Sequence, residues 1–147
     1  MGTSDSVTGF VLDLLHRATC PVVVDADGLN ACAGDPARLT GRDDRPLVVT
    51  PHPGEMARLV GLSVADVQAH RVDLARDLAT SRRLHVILKG YRTLVATPSG
   101  DVFVNPTGGP GMATGGTGDV LTGVVAACLA QGLTPEAAFR LAVFVHG

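Results

Sequence analysis

The sequence predicts an α/β fold on a mostly parallel sheet, and three observations carry that prediction. Short, continuous β-branched runs recur at Pro21–Asp25, Leu47–Thr50 and Leu84–Lys89, the pattern of strands buried on both faces. Helical periodicities lie between and after these runs. A glycine-rich stretch, Asn105–Gly123, passes without a break into an apolar helical pattern. With 147 residues, 46% of them hydrophobic, the chain has the length of one domain and ample material for a core.

Met1–Ser6 is polar and reads as loose. Val7–Ala18 spaces Val7, Phe10, Val11, Leu14 and Leu15 as an amphipathic helix. The run Pro21–Asp25 then places Asp25 on a strand tip, and Ala26–Asn30 turns into a short helix with Asp27 as its cap. Asp25 and Asp27 serve either as turn and cap residues or as contacts to a ligand or metal-bound water; composition leaves both open. After the polar loop Gly41–Pro46, the second strand ends in Thr50-Pro51-His52-Pro53-Gly54-Glu55. Prolines on both sides of His52 stiffen this loop and present the imidazole from a strand end, where open α/β sheets bind ligands. Glu55 complements the start of the helix Met56–Val60 or acts in the same site.

Leu62–Arg82 reads as one long helix, with Ser63 as N-cap, Asp66 near its start and a stripe of Val67, Leu74, Ala75 and Leu78. Arg71, Asp73, Arg76 and Asp77 fall on the opposite, solvated face. The third strand exits at Lys89-Gly90, and Thr93–Thr97 with Asp101–Asn105 flank Pro98-Ser99-Gly100 as a β-hairpin. A lysine there meets a phosphate or stands on the surface. From Asp119 an apolar helix runs to a stop at Gly132, and a last helix starts at Thr134-Pro135-Glu136 and continues through Phe139, Ala142, Val143 and His146.

Eleven of the first fourteen residues of NPTGGPGMATGGTGDVLTG are Gly, Pro or Thr. Glycine lets backbone N–H groups approach a ligand closely, and a helix start leaves its first donors unpaired, so the stretch outlines an anion site. No Gly-Lys-Ser/Thr follows the glycines, and Thr114 and Leu121 stand where a G-x-G-x-x-G would need its last glycine. What remains is Gly116-Thr117-Gly118-Asp119. Its amides can receive a transferring phosphoryl group and Asp119 can accept a proton from an attacking hydroxyl. The bland alternative is a flexible connector followed by a favourable helix-start acid.

A net charge of -2 with scattered basic residues argues against nucleic acid or an anionic membrane as partner and for a small molecule. Cys20, Cys32 and Cys128 have no C-x-x-C spacing and lie in or beside apolar patterns; buried thiols in a reducing compartment are expected, hence the cytoplasm. No run approaches the ~20 apolar residues of a membrane span.

Taken together, Asp25-Ala26-Asp27, Thr50–Glu55, Leu88-Lys89-Gly90 and Asn105–Gly123 resemble the ADP-dependent NAD(P)H-hydrate dehydratases, a branch of the ribokinase-like superfamily. The resemblance covers Val7 to Gly147 and implies a three-layer α/β/α fold with a mostly parallel sheet. It implies dehydration of (S)-NADH or NADPH hydrate at the expense of ADP in most bacterial members, or ATP in eukaryotic ones, with magnesium. On the matching positions, Asp119 contacts the hydrate and activates its hydroxyl, and His52 contacts the hydrated nicotinamide nucleotide. Gly115, Gly116, Thr117 and Gly118 form an anion hole, Gly118 touching the nucleotide. Lys89, Gly90, Tyr91, Arg92 and Thr93 contact the AMP moiety, and Asp25, Asp27 and Glu55 lie near water-coordinated magnesium. Gly109 departs from the pattern, standing where asparagine is more usual.

Family domains are roughly twice as long. The resemblance therefore implies a partial domain, without N-terminal elements and a final helical segment, that exposes a sheet edge and an apolar face and is poorly active alone. It further implies a homo-oligomer and an NAD(P)H-hydrate epimerase domain as partner. Two alternatives stay open: a vitamin-precursor kinase of the same superfamily, such as a hydroxymethylpyrimidine or hydroxyethylthiazole kinase, and a non-catalytic nucleotide-binding fragment.

Overall fold

The computed structural model describes residues 4–147. Strands β1 (Val22–Val24), β2 (Leu47–Val49) and β3 (His85–Leu88) are parallel neighbours, and the hairpin β4 (Leu94–Ala96) and β5 (Val102–Val104) extends the sheet antiparallel, in the order β1-β2-β3-β4-β5. The parallel half holds the three strand ends singled out in the sequence. Its three carboxyl ends deliver Asp25, His52 and Lys89 to one rim of the sheet.

Two apolar cores sandwich the sheet, as the period of two along a strand requires. On one face Leu47, Val49, Val86, Leu88, Leu94 and Ala96 pack with residues of α1 (Asp5–Arg17), α2 (Asp27–Asn30), α3 (Pro53–Val60), α4 (Val64–Ala69) and α5 (Arg71–Arg82). On the other, Val48, Ile87 and Val95 meet Leu121, Val125 and Cys128 of α6 (Thr117–Ala130) and Ala138, Phe139, Ala142 and Val143 of α7 (Pro135–His146). This is the expected three-layer arrangement. α1 leaves Phe10 and Leu14 exposed, and α7 leaves Leu141, Phe144 and Val145 exposed.

Several local expectations are corrected. Residues 1–3 of the stretch read as loose lie outside the described residues, but Ser4 already caps α1, accepting from the Val7 amide at 3.4 Å, so the helix begins at Asp5. The predicted helix Leu62–Arg82 is two helices. Ser63 caps the first, accepting from the Asp66 amide at 3.1 Å. The chain then breaks at His70 (φ -122°, ψ 31°), which ends α4 and precedes α5. The apolar stripe continues across the break from Val67 to Ala75 and Leu78, which is why periodicity alone joins them; the turn instead swings Arg71 out of the solvated face and toward the end of β3. Asp27 is the first residue of α2 and not its cap: the cap position is Ala26, at φ 48° and ψ -118°. The loop before β2 buries Arg45, whose guanidinium donates to the Leu15 carbonyl and ties α1 to the sheet. Cys32 and Cys128 are buried as expected, but Cys20 is exposed. No helix among the described residues is long and apolar enough to cross a membrane.

Candidate active site

A cleft of about 960 Å³ opens at the carboxyl ends of β1–β3, between those ends and the glycine-rich loop. Of the residues singled out in the sequence, Asp25, His52, Lys89, Gly90, Tyr91, Arg92, Thr93, Gly116, Thr117, Gly118 and Asp119 all line it. Gly115, Asp27 and Glu55 do not. These residues come from four separate stretches of sequence, and Val143, His146 and Gly147 add a fifth, the convergence a small-molecule site requires.

At its floor the Lys89 ammonium lies 2.8 Å from Asp25 Oδ1 and 3.6 Å from Glu55 Oε2, with side-chain exposures of 19% for Lys89, 11% for Asp25 and 7% for Glu55. The Thr122 hydroxyl donates to the other oxygen of Asp25 at 3.0 Å, coupling β1 to α6. A Cβ on Gly118 would stand 3.3 Å from the Lys89 nitrogen, so the glycine lets the first turn of α6 settle on the ion pair. Ala26, a non-glycine residue at positive φ, holds the strand tip in a strained turn beside Asp25.

His52 caps α3. Its Nδ1 accepts from the Gly54 amide at 3.0 Å and the Glu55 amide at 3.3 Å, while Glu55 Oε2 accepts from the His52 amide at 2.8 Å, a reciprocal capping box. An Nδ1 engaged as acceptor leaves the proton on Nε2. The ring is thus fixed by its backbone, with 50% of the side chain exposed toward the cleft.

The start of α6 is built differently. Its cap is Gly116 at φ 89°, a conformation that disfavours a side chain, and no side chain caps the helix. Thr117 donates to the Thr114 carbonyl at 3.4 Å and Val120 to the Gly116 carbonyl at 3.2 Å, but the intervening Gly118 and Asp119 amides have no backbone partner among the described residues. The Asp119 carboxylate is exposed and, among the described residues, makes no hydrogen bond or ion pair. Free amides and a free carboxylate therefore face the cleft together, which is the geometry needed to receive an anion and accept a proton.

Three elements were not singled out from the sequence. His146, read only as part of a helical stripe, donates through Nε2 to the Thr117 carbonyl at 2.8 Å and lines the cleft. Buried Asn105 donates to the Val143 carbonyl at 2.8 Å, and Thr107 to the Phe144 carbonyl at 3.0 Å. Arg71, assigned to solvent, donates to backbone carbonyls behind the cleft wall. A buried asparagine and a histidine at a helix end were the only signals available.

The proposed carboxylate trio does not assemble into one donor set. Among the described residues no three His, Cys, Asp or Glu side chains form a group able to hold a metal. Asp25 and Glu55 turn to Lys89 instead, and Asp27 accepts from Asn30 Nδ2 at 3.3 Å. An ammonium stands between Asp25 and Glu55, and of the three carboxylates only Asp25 lines the cleft.

This sheet, with its cleft at the strand ends and an acid opening the helix behind a glycine loop, defines a ribokinase-like α/β protein. A ribokinase-like superfamily protein from Enterococcus faecalis superposes on 99% of the chain, with a TM-score of 0.75, 28% identity and 50% of its own chain covered. More particularly, the chain belongs to the NAD(P)H-hydrate dehydratase family, whose model, termed Carb_kinase, matches residues 1–147. A crystal structure of the ADP/ATP-dependent NAD(P)H-hydrate dehydratase from Bacillus subtilis, co-crystallised with ATP and Mg2+, matches 100% of this chain and 50% of its own, at TM-score 0.88 and 38% identity. A bifunctional NAD(P)H-hydrate repair enzyme from Moorella thermoacetica is 53% identical over 137 residues, 93% of this chain and 26% of that protein. The chain thus spans half or less of the length of these relatives.

Proposed function

We propose that the protein carrying this chain dehydrates (S)-NAD(P)H hydrate back to NAD(P)H at the expense of ADP, a hydro-lyase reaction run by kinase-like phosphoryl transfer. The observation that supports it most directly is the unpartnered Asp119 carboxylate beside the open amides of α6, in a family of dehydratases. Asp119 takes the proton of the hydrate hydroxyl as its oxygen attacks the terminal phosphorus of ADP, whose bond to the bridging oxygen breaks to release AMP. The amides of Gly118 and Asp119, at the tip of the Gly115–Gly118 turn, stabilise the phosphoryl oxygens. Lys89 adds positive charge, held in place by Asp25. Expulsion of phosphate with loss of a proton from the adjacent ring carbon restores the double bond. His52 orients the nicotinamide nucleotide, and the strap Lys89–Thr93 receives the AMP moiety.

Magnesium would be held through water near Asp25, which lines the cleft, with Glu55 behind it, and would neutralise phosphate charge. The residues described here supply one wall of the site, and the reading concerns the whole protein; the 147-residue chain alone is proposed to be poorly active. Extending the description of the Moorella relative, an epimerase domain is proposed as partner, with assembly as a homo-oligomer in the cytoplasm.

The test follows NADPH absorbance returning from the hydrate in the presence of ADP. Asp119→Asn is expected to slow turnover by on the order of 10²–10⁴-fold while ADP affinity stays within a few-fold. Undiminished turnover in that variant, or ATP-dependent phosphorylation of a vitamin precursor by the unsubstituted protein, overturns the proposal.

A further inference from the structure

Arg71 opens α5 on what the sequence makes a charged, solvated face, yet its guanidinium turns inward. One terminal nitrogen donates to the Tyr91 carbonyl at 2.6 Å, and the other to the carbonyls of Leu88 at 3.3 Å and Lys89 at 3.4 Å. The remaining carbonyl of this strap, that of Gly90, accepts from the Thr93 hydroxyl at 3.1 Å. Four consecutive carbonyls, 88 to 91, are thereby drawn to hydrogen-bond donors. Among the described residues Arg71 forms no ion pair, and its Nε is buried without a partner. A cation placed against backbone oxygens alone, with burial pushing the guanidinium below its ordinary range, is retained for geometry and not for charge pairing.

Gly90 completes the fit. It lies at φ 133°, a backbone conformation that L side chains rarely adopt, and a Cβ there would crowd an Arg71 terminal nitrogen at 3.3 Å, so glycine suits both the turn and the close approach. On its other side the strap presents Lys89 to Asp25 and Tyr91 to the cleft, with the Arg92 guanidinium 5.4 Å from the Tyr91 ring centroid.

We infer that Arg71 is the positioning residue of the nucleotide strap: by holding the carbonyls of Leu88, Lys89 and Tyr91 from behind, it fixes where the Lys89 ammonium and the Tyr91-Arg92 pair meet the adenine nucleotide. This rests on the reading of the cleft given above. A planar fork spans three carbonyls, whereas the compact ammonium of lysine cannot reproduce that span, so arginine and lysine are not interchangeable here.

The experiment combines amide hydrogen exchange with ADP titration on the protein carrying Arg71→Ala or Arg71→Lys. Exchange of the Lys89 amide, which donates to the Pro51 carbonyl at 2.8 Å, is expected to rise at least tenfold while β1 and β2 stay protected. ADP affinity is expected to fall at least tenfold, with partial recovery of both in Arg71→Ala on adding guanidinium and none in Arg71→Lys. Unchanged exchange at the Lys89 amide, or a rise spread evenly along the chain, overturns the inference. Should Arg71→Ala not fold, Gly90→Ala crowds the guanidinium from the other side and strains the φ of 133°, and full protection kept at the Lys89 amide in that variant overturns it equally. An unsubstituted protein that binds no ADP overturns the reading of the cleft and the nucleotide part of this inference together; exchange unmoved by Arg71→Ala overturns the role of Arg71 alone.

Discussion

Two helices begin at the same cleft, and they begin in opposite ways. α3 is closed: His52 and Glu55 satisfy each other's backbone donors in a capping box, and Pro53 has no N–H to satisfy. α6 is open: Gly116 offers no side chain, and the amides of Gly118 and Asp119 point at the cavity without a backbone partner. α2, α5 and α7 also start without a side-chain cap, so what sets α6 against α3 is that its bare start lines the cleft, where the proposal puts the phosphate. The closed end gives a rigid imidazole; the open end gives donors.

That contrast can be broken from either side. The largest effect is expected from Gly116→Asp, which puts a carboxylate where phosphate should bind. ADP affinity should fall tenfold or more by calorimetry, and the positive φ of 89° should add about 1 kcal/mol of destabilisation. Tight ADP binding by this variant would remove the open end from the binding account. Next comes His52→Ala, which opens the closed end. Loss of the cap should cost about 1 kcal/mol in denaturant unfolding, and a cost near zero would mean that Pro53 and the remaining contacts suffice to start α3. The smallest effect concerns pH and the face of the sheet that carries α6 and α7. His85 stacks edge-on to Phe139 at 4.8 Å, and its burial lowers its pKa from the ordinary 6.5. The unfolded chain binds the extra proton first, so stability is lost as pH falls below 6.5 toward the folded-state value, by less than about 1.4 kcal/mol per pH unit. Thermal melts between pH 7 and pH 5 read this slope, which should vanish in His85→Gln.

The sheet and most of its helices were legible because local patterns specify them. Val22–Val24, Leu47–Val49 and the Pro98-Ser99-Gly100 hairpin carry β-branched runs and turn residues that short-range rules can read. The break at His70 was not, since the apolar stripe of α4 and α5 runs through it. In the candidate site, residue types were legible and pairings were not. Asp25 and Lys89 are 64 positions apart, and only the parallel sheet places them in contact. Arg71 was hidden for the same reason: an arginine opening a charged helix face looks solvated until the break at His70 turns it toward Tyr91, 20 positions further along the chain.

The last turn of α7 has a consequence for the glycine-rich loop in front of it. Val143 and Phe144 receive the side chains of Asn105 and Thr107, and His146 donates to Thr117. The loop is therefore tethered at both ends to a single helical turn while its middle stays glycine-rich. Closing a chain between fixed posts costs less entropy than gathering it from a free coil, so much of the ordering cost of wrapping an anion has already been met in folding.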